Sequence, residues 1–98
     1  MDRTCLEIRE KLTPVLRRYG VRSAVLFGSC SRGRANAHSD VDLLVDSGLR
    51  GLTFVGLIED LRQALGDREV DVMDAAHIEK GSPVDAEIRR TGVTIYEA

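Results

Sequence analysis

The chain contains no tryptophan and only four other aromatic residues, Tyr19, Phe27, Phe54 and Tyr96, in 98 positions. Single-stranded nucleic acid is gripped by stacking its bases on such rings, so no stacking platform is expected. An excess of positive charge is missing too. The 14 lysines and arginines face 16 aspartates and glutamates, for a net charge of −2. Non-specific binding to a phosphate backbone needs that excess, so direct nucleic-acid binding is not expected. Nucleotide binding is not excluded, because it needs only a local positive site. Cysteine is limited to Cys5 and Cys30, without CxxC spacing. Two lone thiols of this kind read as a reducing compartment and no zinc site. No apolar run approaches the length of a membrane span, and no signal peptide is evident. The expectation is a cytoplasmic protein without membrane contact.

A chain of 98 residues makes one domain, spanning residues 1–98. It can bury about 60–70% of its unfolded surface, enough for one modest core. Cys5, Ile8, Leu12, Val15 and Tyr19 recur at spacings of three and four, one face of a helix. Pro14 either kinks that helix or opens a second one behind a Thr13 cap. Ser23–Phe27 reads as a buried strand and Val41–Val45 as a second. Ser47-Gly48 and Arg50-Gly51 mark a turn. Phe54, Ile58, Leu61 and Leu65 outline a helix that Gly66 ends, and Glu69–Met73 alternates as a third strand. Ser82, Pro83 and Asp85 form a helix start, Gly92 follows its end, and Val93–Tyr96 is a last strand. The fold class is α/β in composition, of the α+β kind. It has a mixed sheet of about four strands with helices packed on it. Strands 1 and 2 are joined too tightly for a crossover helix and should be antiparallel neighbours.

Within this frame the stretch GSCSRGRANAHSDVDLLVD, residues 28–46, is the informative one. Asp40 and Asp42 lie two residues apart at the mouth of a buried strand. They share one face, about 6–7 Å apart along the strand. Two such charges repel by about 2–3 kcal/mol at an effective dielectric near 20. Arginines could offset this; a hard divalent cation does it best, because carboxylate oxygens suit Mg²⁺ or Mn²⁺. Asp71 interrupts the apolar positions of strand 3. If strand 3 lies beside strand 2, Asp71 joins the cluster and the platform can hold two metals. Read alone, Asp71 also fits a surface or salt-bridged residue, the lesser alternative.

Upstream, Gly28 allows a sharp turn and a close backbone approach to a ligand. Ser29 offers a hydroxyl and an amide, and Arg32 a charge-assisted donor for phosphate oxygens. Ser39 either meets a metal-bound phosphate or caps its turn. Gly28 and Gly33 have the Walker A spacing, but Arg34-Ala35 stands where lysine and serine or threonine are required, so that reading is rejected. What remains is a triphosphate seated on Gly28-Ser29 and Arg32, with metals on Asp40 and Asp42. In-line attack at phosphorus follows, with Asp71 binding metal and helping to deprotonate the incoming hydroxyl.

These residues resemble the nucleotidyltransferase superfamily that includes DNA polymerase β. Its pattern is G-S, about ten residues, D-x-D, then a third carboxylate on a later strand. The closer resemblance is to the minimal nucleotidyltransferases, the MNT proteins, with G-S-x-x-R-G followed by S-D-x-D-L. Here these read Gly28-Ser29-Cys30-Ser31-Arg32-Gly33 and Ser39-Asp40-Val41-Asp42-Leu43. Ser31 departs mildly from the small residue usual at its position. The resemblance implies transfer of AMP from ATP with release of pyrophosphate. It implies Mg²⁺, as two ions, with Mn²⁺ as a substitute. It assigns Asp40, Asp42 and Asp71 as metal ligands and catalytic carboxylates, and Gly28, Ser29 and Arg32 as nucleotide contacts. It also implies a partner, a HEPN-domain toxin, in a hetero-oligomeric toxin–antitoxin pair, with a tyrosine of the toxin as acceptor. Larger relatives carry an added helical domain for the acceptor; this chain should borrow that site from its partner. Leu49, Leu52 and Val55 are either core residues or that contact.

Two other readings stay open. One is an antitoxin that neutralises by occlusion; the other is transfer to a small molecule such as an aminoglycoside, disfavoured by the missing acceptor domain. His38 and His77 read as a solvated loop residue and a surface or capping residue. Cys30 lacks a base, Asp46 and Asp74 read as turn residues or caps, and Arg17-Arg18 and Arg89-Arg90 as solvated helix faces.

Overall fold

Parity along the strands sorts the sheet into two unlike faces. A computed structural model describes residues 3–28, 41–66 and 69–98. In chain order these form α1 (Arg3–Arg18), β1 (Ser23–Phe27), β2 (Val41–Asp46), α2 (Gly51–Leu65), β3 (Val70–Asp74), a 3₁₀ turn (Ala75–His77), α3 (Pro83–Thr91) and β4 (Val93–Glu97). The sheet order is β3-β2-β1-β4. β1 is antiparallel to β2 and to β4, whereas β2 and β3 are parallel. The antiparallel β1–β2 pair is as the sequence led us to expect, and β3 lies beside β2, the condition on which Asp71 joins the cluster.

On one face Ala24, Leu26, Val41, Leu43, Val45 and Val70 are buried in a core with Ile8, Leu12, Leu16, Leu57 and Leu61 from α1 and α2. This burial is what holds α1 and α2 to the sheet, at about 25 cal/mol per Å² of apolar surface. The other face carries Val25, Asp42, Leu44, Asp46, Asp71 and Met73, none of them fully buried. α3 packs on β1 from that side, where Val25 meets Gly92. The acidic residues are therefore on the face that α1 and α2 leave open.

Local details follow from chemistry. α1 is one helix through Pro14, so neither a break nor a Thr13 cap occurs. Pro14 and Glu10 are exposed, and water can satisfy the Glu10 carbonyl that Pro14 cannot. The Thr13 hydroxyl instead donates to the Arg9 carbonyl, 2.6 Å away. In α2 the buried stripe is Leu57, Leu61 and Leu65, with Phe54 and Ile58 half-buried at its edges. The helix also begins earlier than its apolar pattern, at Gly51, whose φ of +60° suits glycine at the turn into it. α3 starts as the sequence indicates. Ser82 accepts from the Asp85 amide, and Pro83 occupies the first turn.

Candidate active site

The ends of three strands meet at one edge of the sheet. β1 finishes there at Phe27, and β2 and β3 begin there. Phe27 is the Cα partner of Asp42, and Asp42 is the Cα partner of Asp71. Partners in a ladder point to the same face, and neighbouring strands lie about 4.8 Å apart. Asp42 and Asp71 therefore stand side by side on the open face. Asp42 is half-buried and Asp71 exposed.

Gly28 closes the site from the β1 side. Its φ is +77°, which side-chain-bearing residues rarely adopt. A Cβ built on it would lie 2.7 Å from the Asp42 Oδ2. Glycine is thus needed twice, for the turn and for the carboxylate packed against it. The Gly28 amide donates to the Thr91 Oγ1 at 3.0 Å, and the Thr91 hydroxyl donates to the Glu87 carbonyl at 2.8 Å. Thr91 was not among the residues that the sequence singled out. Its partner lies 63 positions away, and no local pattern signals such a contact.

Ser29, Arg32, Ser39 and Asp40 lie outside the described residues, as do Cys30 and His38. Among the described residues no group of three histidine, cysteine or acidic side chains is arranged to hold a metal. The pair Asp42 and Asp71 is the described part of the expected carboxylate cluster. Its donors are all hard oxygens, which fits Mg²⁺ or Mn²⁺ and not a thiolate- or imidazole-preferring ion. Beside Asp71 a cleft of about 370 Å³ is lined by Arg62, Gly66, Glu69, Val70 and Asp71. A larger cleft, about 540 Å³, lies at the far ends of β2 and β3, between Leu49, Phe54 and His77.

Several other acidic and basic residues have structural partners. Asp74 is buried and accepts from the Ser47 hydroxyl and the Ala76 amide. Burial pushes its carboxyl up, but these hydrogen bonds and nearby His77 outweigh that, and the group sits below its ordinary value. Asp74 is thus the cap expected, with a latch to Ser47 in addition. Arg18 pairs with Asp60, which also accepts from the Tyr19 hydroxyl. Arg89 and Arg90 pair with Asp85 and Glu87 along α3. Of the three apolar candidates for a partner contact, Leu49 packs on the core, while Leu52 is 88% and Val55 52% exposed. Core packing is therefore not the role of Leu52 or Val55.

Comparison with known proteins gives the following. The family model described as polymerase beta, nucleotidyltransferase matches residues 10–98. A protein of Methanocaldococcus jannaschii, whose name assigns it provisionally as a protein adenylyltransferase, is 39% identical over 70 residues, 68% of this chain and 73% of the relative. Among solved structures, a toxin–antitoxin complex with AMP-PNP matches with a TM-score of 0.75 at 24% identity, over 92% of this chain and 73% of the other. A complex of tri-AMPylated Shewanella oneidensis HEPN toxin with its MNT antitoxin matches with a TM-score of 0.71 at 21% identity, over 96% and 73%. A mutant of the toxin–antitoxin pair MntA and its toxin matches with a TM-score of 0.72 at 26% identity, over 91% and 72%.

Proposed function

The chain belongs to the polymerase beta nucleotidyltransferase family, and from that premise we propose that it transfers AMP from ATP to a tyrosine of a cognate HEPN ribonuclease toxin. The observation that carries the reading is the placement of Asp42 opposite Asp71, with Gly28 packed against the Asp42 carboxylate. The adenylyltransferase name of the archaeal relative and the AMPylated complex among the structural neighbours support the same acceptor class.

The reaction balances as follows. The tyrosine phenolic oxygen forms a bond to the α-phosphorus. The bond from that phosphorus to the bridging oxygen breaks, and pyrophosphate leaves with the electron pair. The phenolic proton passes to the Asp71 carboxylate, which is exposed and reachable by a side chain from another protein. Gly28 brings backbone, with no side chain between, up to the triphosphate. Ser29, Arg32 and Ser39 are assigned as further nucleotide contacts from the motif. Asp40, Asp42 and Asp71 would hold Mg²⁺ or Mn²⁺, which supplies neutralisation of the triphosphate charge when bound.

In this reading residues 1–98 act as one catalytic domain in the cytoplasm, and the acceptor site belongs to the partner in a hetero-oligomer. Among the described residues no helix is long and apolar enough to cross a membrane. Exposed Leu52 and Val55 on α2 supply an apolar contact for the partner.

The test is direct. The protein, Mg²⁺, labelled ATP and the purified HEPN partner are incubated, and the partner is analysed by mass spectrometry. A mass increase from AMP added to a tyrosine of the partner, absent with Asp42→Ala, is the expected result. Neutralisation of the toxin by an Asp40→Ala/Asp42→Ala double variant, without modification, would replace this reading with occlusion.

A further inference from the structure

The β1–β4 ladder ends where the active-site turn begins. Leu26 is the Cα partner of Val93. Continuing that antiparallel register by two residues sets Thr91 opposite Gly28. A strand residue at that position would engage Gly28 through its backbone. Thr91 is instead the last residue of α3, and its side chain takes the bond: the Gly28 amide donates to its Oγ1 at 3.0 Å. Its own hydroxyl proton is directed to the Glu87 carbonyl, which leaves lone pairs for Gly28. Gly92 then lets α3 lie close on the sheet, because a Cβ there would be 2.9 Å from the Val25 Cγ1.

We propose that Thr91 is a positioning residue for nucleotidyl transfer, fixing the Gly28 peptide over Asp42 through its hydroxyl. The role rests on the transfer reaction proposed above. Gly28 touches the site at two points, its amide on Thr91 and its α-carbon against the Asp42 carboxylate. Freed from Thr91, the turn can rotate about Gly28, which has the least steric restraint of any residue. A misplacement on the order of 1 Å at such a site costs about a hundredfold in rate. The α3–β4 segment, distant in sequence from the motif, thereby sets the geometry of the nucleotide turn.

The experiment compares Thr91→Val, which keeps the shape and removes the acceptor, with Thr91→Ser, which restores it. Transfer of AMP to the HEPN partner is measured at saturating and limiting ATP, with thermal melting of each variant and amide hydrogen exchange at Gly28. The expected result is a kcat lower by about tenfold or more in Thr91→Val, Gly28 exchange accelerated, and Thr91→Ser within about threefold of wild type. An active, folded Thr91→Val with wild-type kcat overturns the proposal. So does equal loss in both variants, or a loss that disappears when assays are run well below each melting temperature. Wild-type protein that transfers nothing to the partner overturns the transfer reading itself, and the positioning role with it.

Discussion

Asp42 and Asp71 are Cα partners across the parallel β2–β3 pair, on the face that α1 and α2 leave uncovered. A parallel pair starts both strands at the same end of the sheet, and the β2–β3 register sets Asp42 opposite Asp71 there. The intervening α2 supplies the crossover that a parallel connection requires.

Replacing either carboxylate should separate chemistry from stability. Asp71 is exposed, so Asp71→Asn should change unfolding free energy by less than about 0.5 kcal/mol. AMP transfer should fall by about a hundredfold or more, read as label incorporated into the HEPN partner. Asp42→Ala should show the same loss of transfer. Retention of activity in either would remove that residue from the site.

Gly28→Ala combines a steric and a backbone penalty. The added methyl meets the Asp42 carboxylate, and the positive φ costs about 1–2 kcal/mol for a residue with a side chain. Chemical denaturation should show a loss of that order or more, and the folded fraction should transfer AMP poorly.

The Ser47–Asp74 latch joins the ends of β2 and β3 away from the active site. Asp74→Ala strands the Ser47 hydroxyl and the Ala76 amide and should cost about 2–3 kcal/mol in urea unfolding. The pH dependence has a defined sign. The folded Asp74 carboxyl lies below its ordinary 3.8, so the unfolded chain binds that proton first as pH falls. The latch contributes fully above about pH 4 and is lost as pH drops through the still lower folded value. Asp74→Asn, which cannot titrate, should show a shallower loss of stability across that acid range.

Leu52 projects from α2 with 88% of its surface in water. Leu52→Ser should leave the melting transition within about 0.5 kcal/mol of wild type. Titration calorimetry against the HEPN partner should show weaker binding for Leu52→Ser and for Val55→Ser. Unchanged affinity in both would place the partner contact on another surface.

The described part of the candidate site on β1 and β2, Gly28 and Asp42, was legible in the linear chain because it is a local motif. Gly28 had to be glycine at a strand-to-loop turn, and Asp42 had to share a strand with buried Leu43. The element order was legible too: β2 alternates in burial along its length, α1 and α2 each carry an apolar stripe, and α3 is announced by its Ser82 cap. The stripe of α2 was placed one residue off, at Ile58 in place of Leu57, because a helix with apolar residues at both positions has two nearly equal faces. Only packing against α1 and the sheet, which buries Leu57 in the shared core, chooses between them.

By itself the sequence determined which residue types could do the chemistry and that Asp42 would lie at the mouth of a buried strand. The tertiary structure decided that Asp71 joins Asp42, because that depends on the parallel β2–β3 register. It also decided that Thr91 holds Gly28, because a hydroxyl and an amide 63 residues apart meet only when α3 folds back on β1. Hydrogen bonds of that range leave no periodicity in a sequence; they exist only after the chain has closed.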